Sequence, residues 1–444
     1  MRALTFDVNV PGFLRAKTLG RFSEAATFGP LSTLRLRDDV PTPVLRGPEW
    51  VRLRVLACGI CGTDLANLSY SASPAMEPFG SFPAVPGHEV VARVEEVGSA
   101  VRRFRPGDRV VVDPMISCRV RGWPEEKICL SCREGRHSTC ELAGEEGAGG
   151  SGASATGEAV PGSSPETSPA PLRRGLTIGY HADLPGGWAE EMVAHESQLF
   201  HVPDGVSDTA AVLVEPLSIG MHAVLNGGPD DPEADVLVIG SGPIAFATIW
   251  ALRASGFRGS IVAQTKREGE AELARALGAD EVVKPGVEAR QVLVETGALA
   301  YQPIVGEEVF SGGGFPVVFD CVGNRGSLTQ ALRFTAPRGR IVMLGCAAEI
   351  SRLDLTFLWA RELELKGFVG YGTERWRGRE LHTFEVTLEG LRDSGIPAEK
   401  LVTHTFPLSR YRDALSAAAN RARSGAIKVV LEPHEGSGDA REGA

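Results

Sequence analysis

The sequence predicts an α/β chain of two domains: a β-rich domain in its first part and a doubly wound parallel sheet behind it. Three observations carry this. A chain of 444 residues exceeds what one hydrophobic core ordinarily organises. The first third alternates apolar and polar residues between Gly- and Pro-rich turns, as half-buried strands do. After Asp235 short apolar runs alternate with helical stretches, the pattern of a parallel sheet with crossover helices.

Met1 to Val10 reads as an opening strand, and residues 10 to 45 follow no regular period. Trp50–Ala57 (WVRLRVLA) alternates cleanly. Val90–Val97 and Arg109–Val112 read as further strands about the turn Arg105-Pro106-Gly107-Asp108. Residues 143 to 171 are Gly, Ala, Ser, Pro, Thr and Glu, with Val160 the one large aliphatic. Such a stretch cannot bury enough apolar area to offset chain entropy, which predicts a disordered insertion over 143–174. Val236–Ile239 (VLVI) is continuously apolar, as a strand covered on both faces must be. A helix over Ile244–Ser255, a strand over Ser260–Ala263, a helix over Glu268–Leu277 and a strand over Glu281–Val283 follow. Then come a strand at 316–320, a helix over Ser327–Ala336 and a strand at 340–344. From Thr383, two helices and two strands (THTF and AIKVVLE) close the chain.

The formal net charge of −10 argues against nucleic acid as partner, since that binding draws on clustered Lys and Arg. A zinc-ribbon nucleic-acid binder fails on the same ground. No apolar run is long enough to span a membrane, and Met1–Val10 lacks the sections of a signal peptide. A cytoplasmic protein with a small-molecule substrate is expected. There the eight cysteines are metal ligands or free thiols rather than disulfides.

Gly240-Ser241-Gly242-Pro243-Ile244-Ala245 follows the apolar strand and opens a helix. This is a G-x-G-x-x-A form of the dinucleotide fingerprint: Gly240 permits the tight turn and Gly242 the approach of backbone amides to a pyrophosphate. Ala245 lets helix and strand pack closely. Pro243 suits the first helical turn, where its missing N–H costs nothing. An acidic residue normally ends the second strand to bind the ribose diol of NAD. Here Gln264 or Thr265 holds that position, followed by Lys266 and Arg267. The cofactor is therefore NADP or NAD, with NADP favoured and Lys266 and Arg267 as partners of the 2′-phosphate. A solvated basic loop is the other reading of these residues.

Two constellations carry metal-ligand chemistry. Cys129-x2-Cys132-x7-Cys140, with Cys118 upstream across a wide gap, offers four thiols for a closed structural zinc site. Dispersed along the chain are Cys61 in CGICGTD, His88 and Glu89 in PGHE, and Glu215 in VEPLS. Thiolate, imidazole and carboxylate together suit a catalytic zinc with an open position. Singly, each has a plain alternative: a buried thiol, a turn histidine, a helix N-terminal carboxylate.

CGICGTD, PGHE, PGDRVVV, the cysteine lobe, GGWAE, EPLS and GSGPIA occur in an order that resembles the medium-chain zinc alcohol dehydrogenases. The EPLS motif is most similar to the branch with sorbitol, threonine and glucose dehydrogenases. The resemblance spans about residues 45 to 433. It implies a GroES-like catalytic domain over 1–214, with the zinc lobe at 113–142, and a Rossmann domain over 215–369. The chain would return to the catalytic domain over 370–433, leaving 434–444 as a flexible tail. It implies one catalytic and one structural zinc, with Cys61 and His88 as ligands of the first and Glu89 and Glu215 competing for third place. Asp64 would orient His88, and Thr63 would take the alcohol proton. The implied reaction is hydride transfer between an alcohol, polyol or sugar and the nicotinamide, with zinc polarising the substrate oxygen. A homodimer or homotetramer is expected.

The sequence departs from that pattern at four places. Ala66 stands where many relatives carry a proton-relaying His, the Cys118–Cys129 gap is wide, residues 143–171 are inserted beside the cysteine lobe, and residues 12 to 40 exceed the usual start. A zinc-free quinone or enoyl reductase of the same superfamily is the alternative, opposed by the retained Cys61, His88, Glu89 and Glu215. A non-catalytic protein that kept the fold is another, since fold does not imply function.

Overall fold

The computed structural model describes residues 1–20, 22–147, 170–345 and 349–434. The chain forms two compact units, Met1–Glu215 together with the chain from Val402, and Pro216–Leu401. The first unit is built on a seven-stranded sheet. Its order is Val402–Pro407, Lys428–Glu432, Trp50–Gly59, Glu89–Val97, Arg109–Val112, Leu199–His201, with Glu191–His195 also pairing Trp50–Gly59. All pairings are antiparallel except Val402–Pro407 with Lys428–Glu432. Alternation buries Val51, Leu53 and Val55 against Val90, Ala92 and Val94 in the core of this GroES-like domain. The C-terminal strands complete the sheet, which is why the chain end belongs to the first unit.

The second unit is a six-stranded, wholly parallel sheet. Its spatial order is Glu281–Val283, Ile261–Gln264, Val236–Ile239, Phe315–Asp320, Thr335–Met343, Glu364–Gly367. Numbered along the unit this is 3-2-1-4-5-6, the Rossmann order, whose reversal beside Val236–Ile239 opens a crevice at the strand ends. The unit extends to Leu401, beyond the expected end at 369. Residues 373–376 and 379–382 form a hairpin, and helix Thr383–Asp393 packs Gly390 against Trp250 of the helix Pro243–Ala254.

Other expectations shift in detail. Only Ala3–Thr5 of the opening segment is a strand. The unplaced residues contain helix Val10–Leu19, capped by Asn9, and strand Arg35–Arg37. Most of the expected 143–174 insertion, and the tail from 435, lie outside the described residues. The described ends of that insertion are ordered: Gly147 N–H donates to Leu172 O at 2.6 Å and Gly175 N–H to Ala143 O at 3.0 Å. Ala143 and Leu172 are buried, giving these ends the apolar anchor that the composition of 143–171 lacks. Among the described residues no helix is long and apolar enough to cross a membrane.

His181 locks one of these ends. Its Nε2 donates to Arg173 O at 2.8 Å and its Nδ1 accepts from Asp183 N–H at 3.1 Å, so the neutral ring is the bonded form. Burial pulls its pKa from 6.5 down to about 4. Between those values the unfolded chain binds a proton that the fold refuses. Stability is therefore full above the upper value and falls as pH drops towards the lower one. His181→Gln is expected to flatten this part of a melting-temperature profile against pH. Equal slopes in both proteins would count against the assignment.

Candidate active site and metal centres

Cys61 ends the turn after strand Trp50–Gly59 and caps helix Gly62–Leu68; His88 and Glu89 lie where the neighbouring strand begins. Antiparallel pairing of Gly59 with Glu89 is what brings these motifs together. One ligand atom from each of Cys61, His88 and Glu89 lies within 4.8 Å of the others. Asp64 is buried beneath them. Its Oδ2 accepts from Cys61 N–H at 2.8 Å and its Oδ1 from Tyr180 O–H at 2.6 Å. Held from two sides, Asp64 places Oδ1 3.6 Å from His88 Nδ1, an ion-pair contact longer than a hydrogen bond. Burial resists charge on His88, but Asp64 and Cys61 outweigh it and hold the imidazole well above its usual pKa. Thr63 Oγ1 lies 3.7 Å from Cys61 Sγ.

The two competing glutamates differ in their surroundings. Glu89 is buried, and both its oxygens accept from Lys428 Nζ, at 2.6 and 2.7 Å. A Cβ on Gly59 would stand 1.9 Å from Glu89 Oε2, so the carboxylate fits only because that residue is glycine. Glu215, in the first turn of helix Val214–Gly227, is also buried, and its Oε2 has no hydrogen-bond partner. Burial pushes its carboxyl up to about 7, against the pull of His88. A buried carboxyl oxygen without a partner is costly unless a ligand completes it. Thiolate, imidazole and carboxylate donors at this spacing, with the buried Glu215 Oε2 lacking a hydrogen-bond partner, fit zinc.

The sulfur atoms of Cys118, Cys129, Cys132 and Cys140 all lie within 4.8 Å of one another, with Cys118 Sγ 3.7 Å from Cys140 Sγ. The wide sequence gap closes because residues 119–128 loop out and return. Backbone N–H groups already point at sulfur: Cys118 N to Cys132 Sγ at 3.5 Å and Cys132 N to Cys129 Sγ at 3.4 Å. Hydrogen bonding from Cys132 pulls the Cys140 thiol down to about 5, while burial pushes Cys118 up to about 11. This set of four fits a closed tetrahedral zinc.

In the second unit, Gly240 turns the chain with φ 126° and Gly242 caps helix Pro243–Ala254 without a side-chain bond, leaving amides for an anion. Ala245 is fully buried, and Ile244 lies beside it in the first turn. Strand Ile261–Gln264 ends with Gln264 and Thr265 buried and Gln264 Nε2 without a hydrogen-bond partner. The exposed Lys266 follows, whereas Arg267 is bound to Glu270 at 2.6 Å.

Two family models match in chain order: "Alcohol dehydrogenase GroES-like domain" over residues 47–204 and "Zinc-binding dehydrogenase" over 243–385. Sorbitol dehydrogenase of Arabidopsis thaliana is 30% identical over 90% of this chain and 93% of its own length. The chain belongs to the zinc-dependent medium-chain alcohol dehydrogenase family. L-idonate 5-dehydrogenase of Vitis vinifera is 29% identical over 94% of this chain and 96% of its own. In fold, this dehydrogenase matches 2R,3R-butanediol dehydrogenase of Bacillus subtilis at a TM-score of 0.65. That match has 23% identity and covers 90% and 96% of the two chains. It is thus a zinc- and nicotinamide-dependent oxidoreductase of alcohols, which sets aside the zinc-free and non-catalytic readings.

Sequence reasoning missed two groups in this dehydrogenase. Tyr180 anchors Asp64 from a segment just past the insertion, and no local motif marks it. Lys428 arrives from the last strand. Its signal was a lysine opening a strand (KVVLE) that is otherwise apolar until its last residue, an expensive place for a charge without a partner.

Proposed function

We propose that this dehydrogenase oxidises a polyol or related secondary alcohol with NADP as preferred acceptor, at a zinc held by Cys61, His88 and Glu89. The convergence of those three side chains within 4.8 Å carries the reading. When bound, zinc supplies a Lewis acid and the nicotinamide a hydride acceptor. Lys428 keeps Glu89 aligned beside Cys61, and Asp64 orients His88. Thr63 relays the alcohol proton, its hydroxyl accepting it while passing its own on to water. Glu215 Oε2, buried and unpartnered, is placed to accept a hydrogen bond from a substrate hydroxyl or a water. The names of the relatives, sorbitol and L-idonate dehydrogenases, support a polyhydroxylated substrate. Cys118, Cys129, Cys132 and Cys140 hold a structural zinc.

The turn Gly240–Gly242 receives the pyrophosphate, with Pro243, Ile244 and Ala245 opening the helix behind it. Thr265 and Lys266 select the 2′-phosphate, Arg267 joining them on leaving Glu270. The seven described cysteines are all free, which supports a cytoplasmic site. The exposed edge strand Glu364–Gly367 supports assembly into a homodimer or homotetramer.

A panel of polyols, sugars and secondary alcohols, assayed with NADP and NAD, tests the proposal. The expected outcome is polyol turnover abolished by a chelator, with the higher kcat/KM for NADP. Lys266→Ala is expected to lower that preference about tenfold, the effect of one charge-assisted phosphate contact. A wild-type preference for NAD would overturn the cofactor assignment.

A further inference from the structure

We infer that Arg121 is the internal counter-cation of the four-cysteine centre and, through the same guanidinium, the clamp that joins chain segments 143–147 and 170–175. The inference rests on those cysteines holding zinc, as proposed above. Arg121 lies in the loop that widens the gap between Cys118 and Cys129, and it is 1% exposed. Its backbone N–H bonds to Ser117 O at 3.1 Å and Trp123 N–H to Cys118 O at 3.0 Å, which fixes Arg121 in a turn just past the first cysteine.

The guanidinium then reaches four carbonyl oxygens. One terminal nitrogen donates to Glu145 O at 3.2 Å and Arg173 O at 3.4 Å, the other to Ala143 O at 3.4 Å and to Gly175 O. Ala143 in turn donates its N–H to Cys140 O at 3.3 Å, so one turn separates the clamped carbonyl from a ligand. No carboxylate pairs Arg121 among the described residues, and its Nε is buried without a partner. A buried, permanently charged guanidinium with only neutral acceptors is unfavourable unless an anion lies near. That anion is the centre itself: four thiolates around a divalent ion leave a net dianion in a poorly hydrated lobe, where Cys118 and Cys140 are buried. Burial pulls the guanidinium below its usual pKa, and the charge of Cys140, then of Cys118 and Cys132, works against that pull. Zinc retention and closure of the two chain segments are therefore linked through one side chain.

Arg121→Gln and Arg121→Lys separate the two roles. Zinc release to a chromophoric chelator is followed in a Cys61→Ser background, where the lobe is the remaining zinc site. Hydrogen exchange at the Gly147 and Gly175 amides reports on the clamp. Arg121→Gln is expected to speed zinc release roughly 10- to 100-fold, the usual effect of removing a partner outside the ligand set, and to expose both amides. Arg121→Lys keeps the charge but not the fork. It is expected to hold zinc near the wild-type rate while both amides exchange faster. Wild-type release in Arg121→Gln would overturn the counter-cation role, and unchanged amide exchange in Arg121→Lys would overturn the clamp. Should Arg121→Gln fail to fold, Arg121→Lys still decides, because rapid zinc loss there contradicts the charge argument. A Cys61→Ser parent that holds no zinc would sink the metal reading instead. One zinc with unchanged release would sink only the role of Arg121.

Discussion

His88→Ala and Cys61→Ser are each expected to lower kcat/KM by at least about a thousandfold, with the far-ultraviolet circular dichroism unchanged. The size follows from what is lost: the group that stabilises charge on the substrate oxygen acts in a buried site, where such stabilisation is worth several kcal/mol. The fold survives because neither side chain supports the sheet. Asp64 keeps its bonds to Tyr180 O–H and the Cys61 backbone N–H in both variants, and Gly59 still pairs with Glu89. Zinc content is expected to fall from about two per chain to about one, since Cys118, Cys129, Cys132 and Cys140 form a separate set. Either variant turning over at the wild-type rate would overturn the assignment.

What could be read from the sequence follows the range of the interactions. Val236–Ile239, the glycines after it and the helix beyond are local, so period and turn chemistry expose them. The parallel sheet followed from that rhythm. Motifs far apart in sequence told which donors exist but not that they meet; that needed the pairing of Gly59 with Glu89. The expected end of the second unit falls too early because the helix that follows the hairpin over 373–382 packs Gly390 on Trp250, a contact that leaves no mark in the local sequence. Residues 10–19 defeated a periodic reading for a physical reason. The helix there exposes Val10, Phe13 and Leu14 and buries Gly12 and Ala16, the reverse of the expected amphipathic face. Arg267 looked like a free cation beside Lys266, but Glu270 one turn on captures it, an i,i+3 pair that the sequence does display.

Lys428→Met is expected to destabilise this dehydrogenase strongly. Lys428 and Glu89 are both almost completely buried, at 2% and 1% side-chain exposure, and each oxygen of Glu89 depends on the ammonium. Removing one partner of a buried pair leaves the other charge uncompensated, which destabilises by about 3–5 kcal/mol. The loss is expected to be greatest in protein stripped of metal, because a zinc beside Cys61 and His88 supplies a second positive partner for the same carboxylate. Comparing melting temperatures of Lys428→Met with and without chelator measures that difference. The double variant Lys428→Met with Glu89→Gln is expected to recover much of the stability, since it removes both charges and leaves a neutral side chain in the space beside Gly59. It is not expected to recover activity, because a carboxamide is a poor substitute for the anionic ligand. Stability and turnover should therefore part company in the double variant. A single Lys428→Met protein melting with the wild type would mean that Glu89 has another cation to rest on, and that its seat beside Cys61 is set by the metal alone.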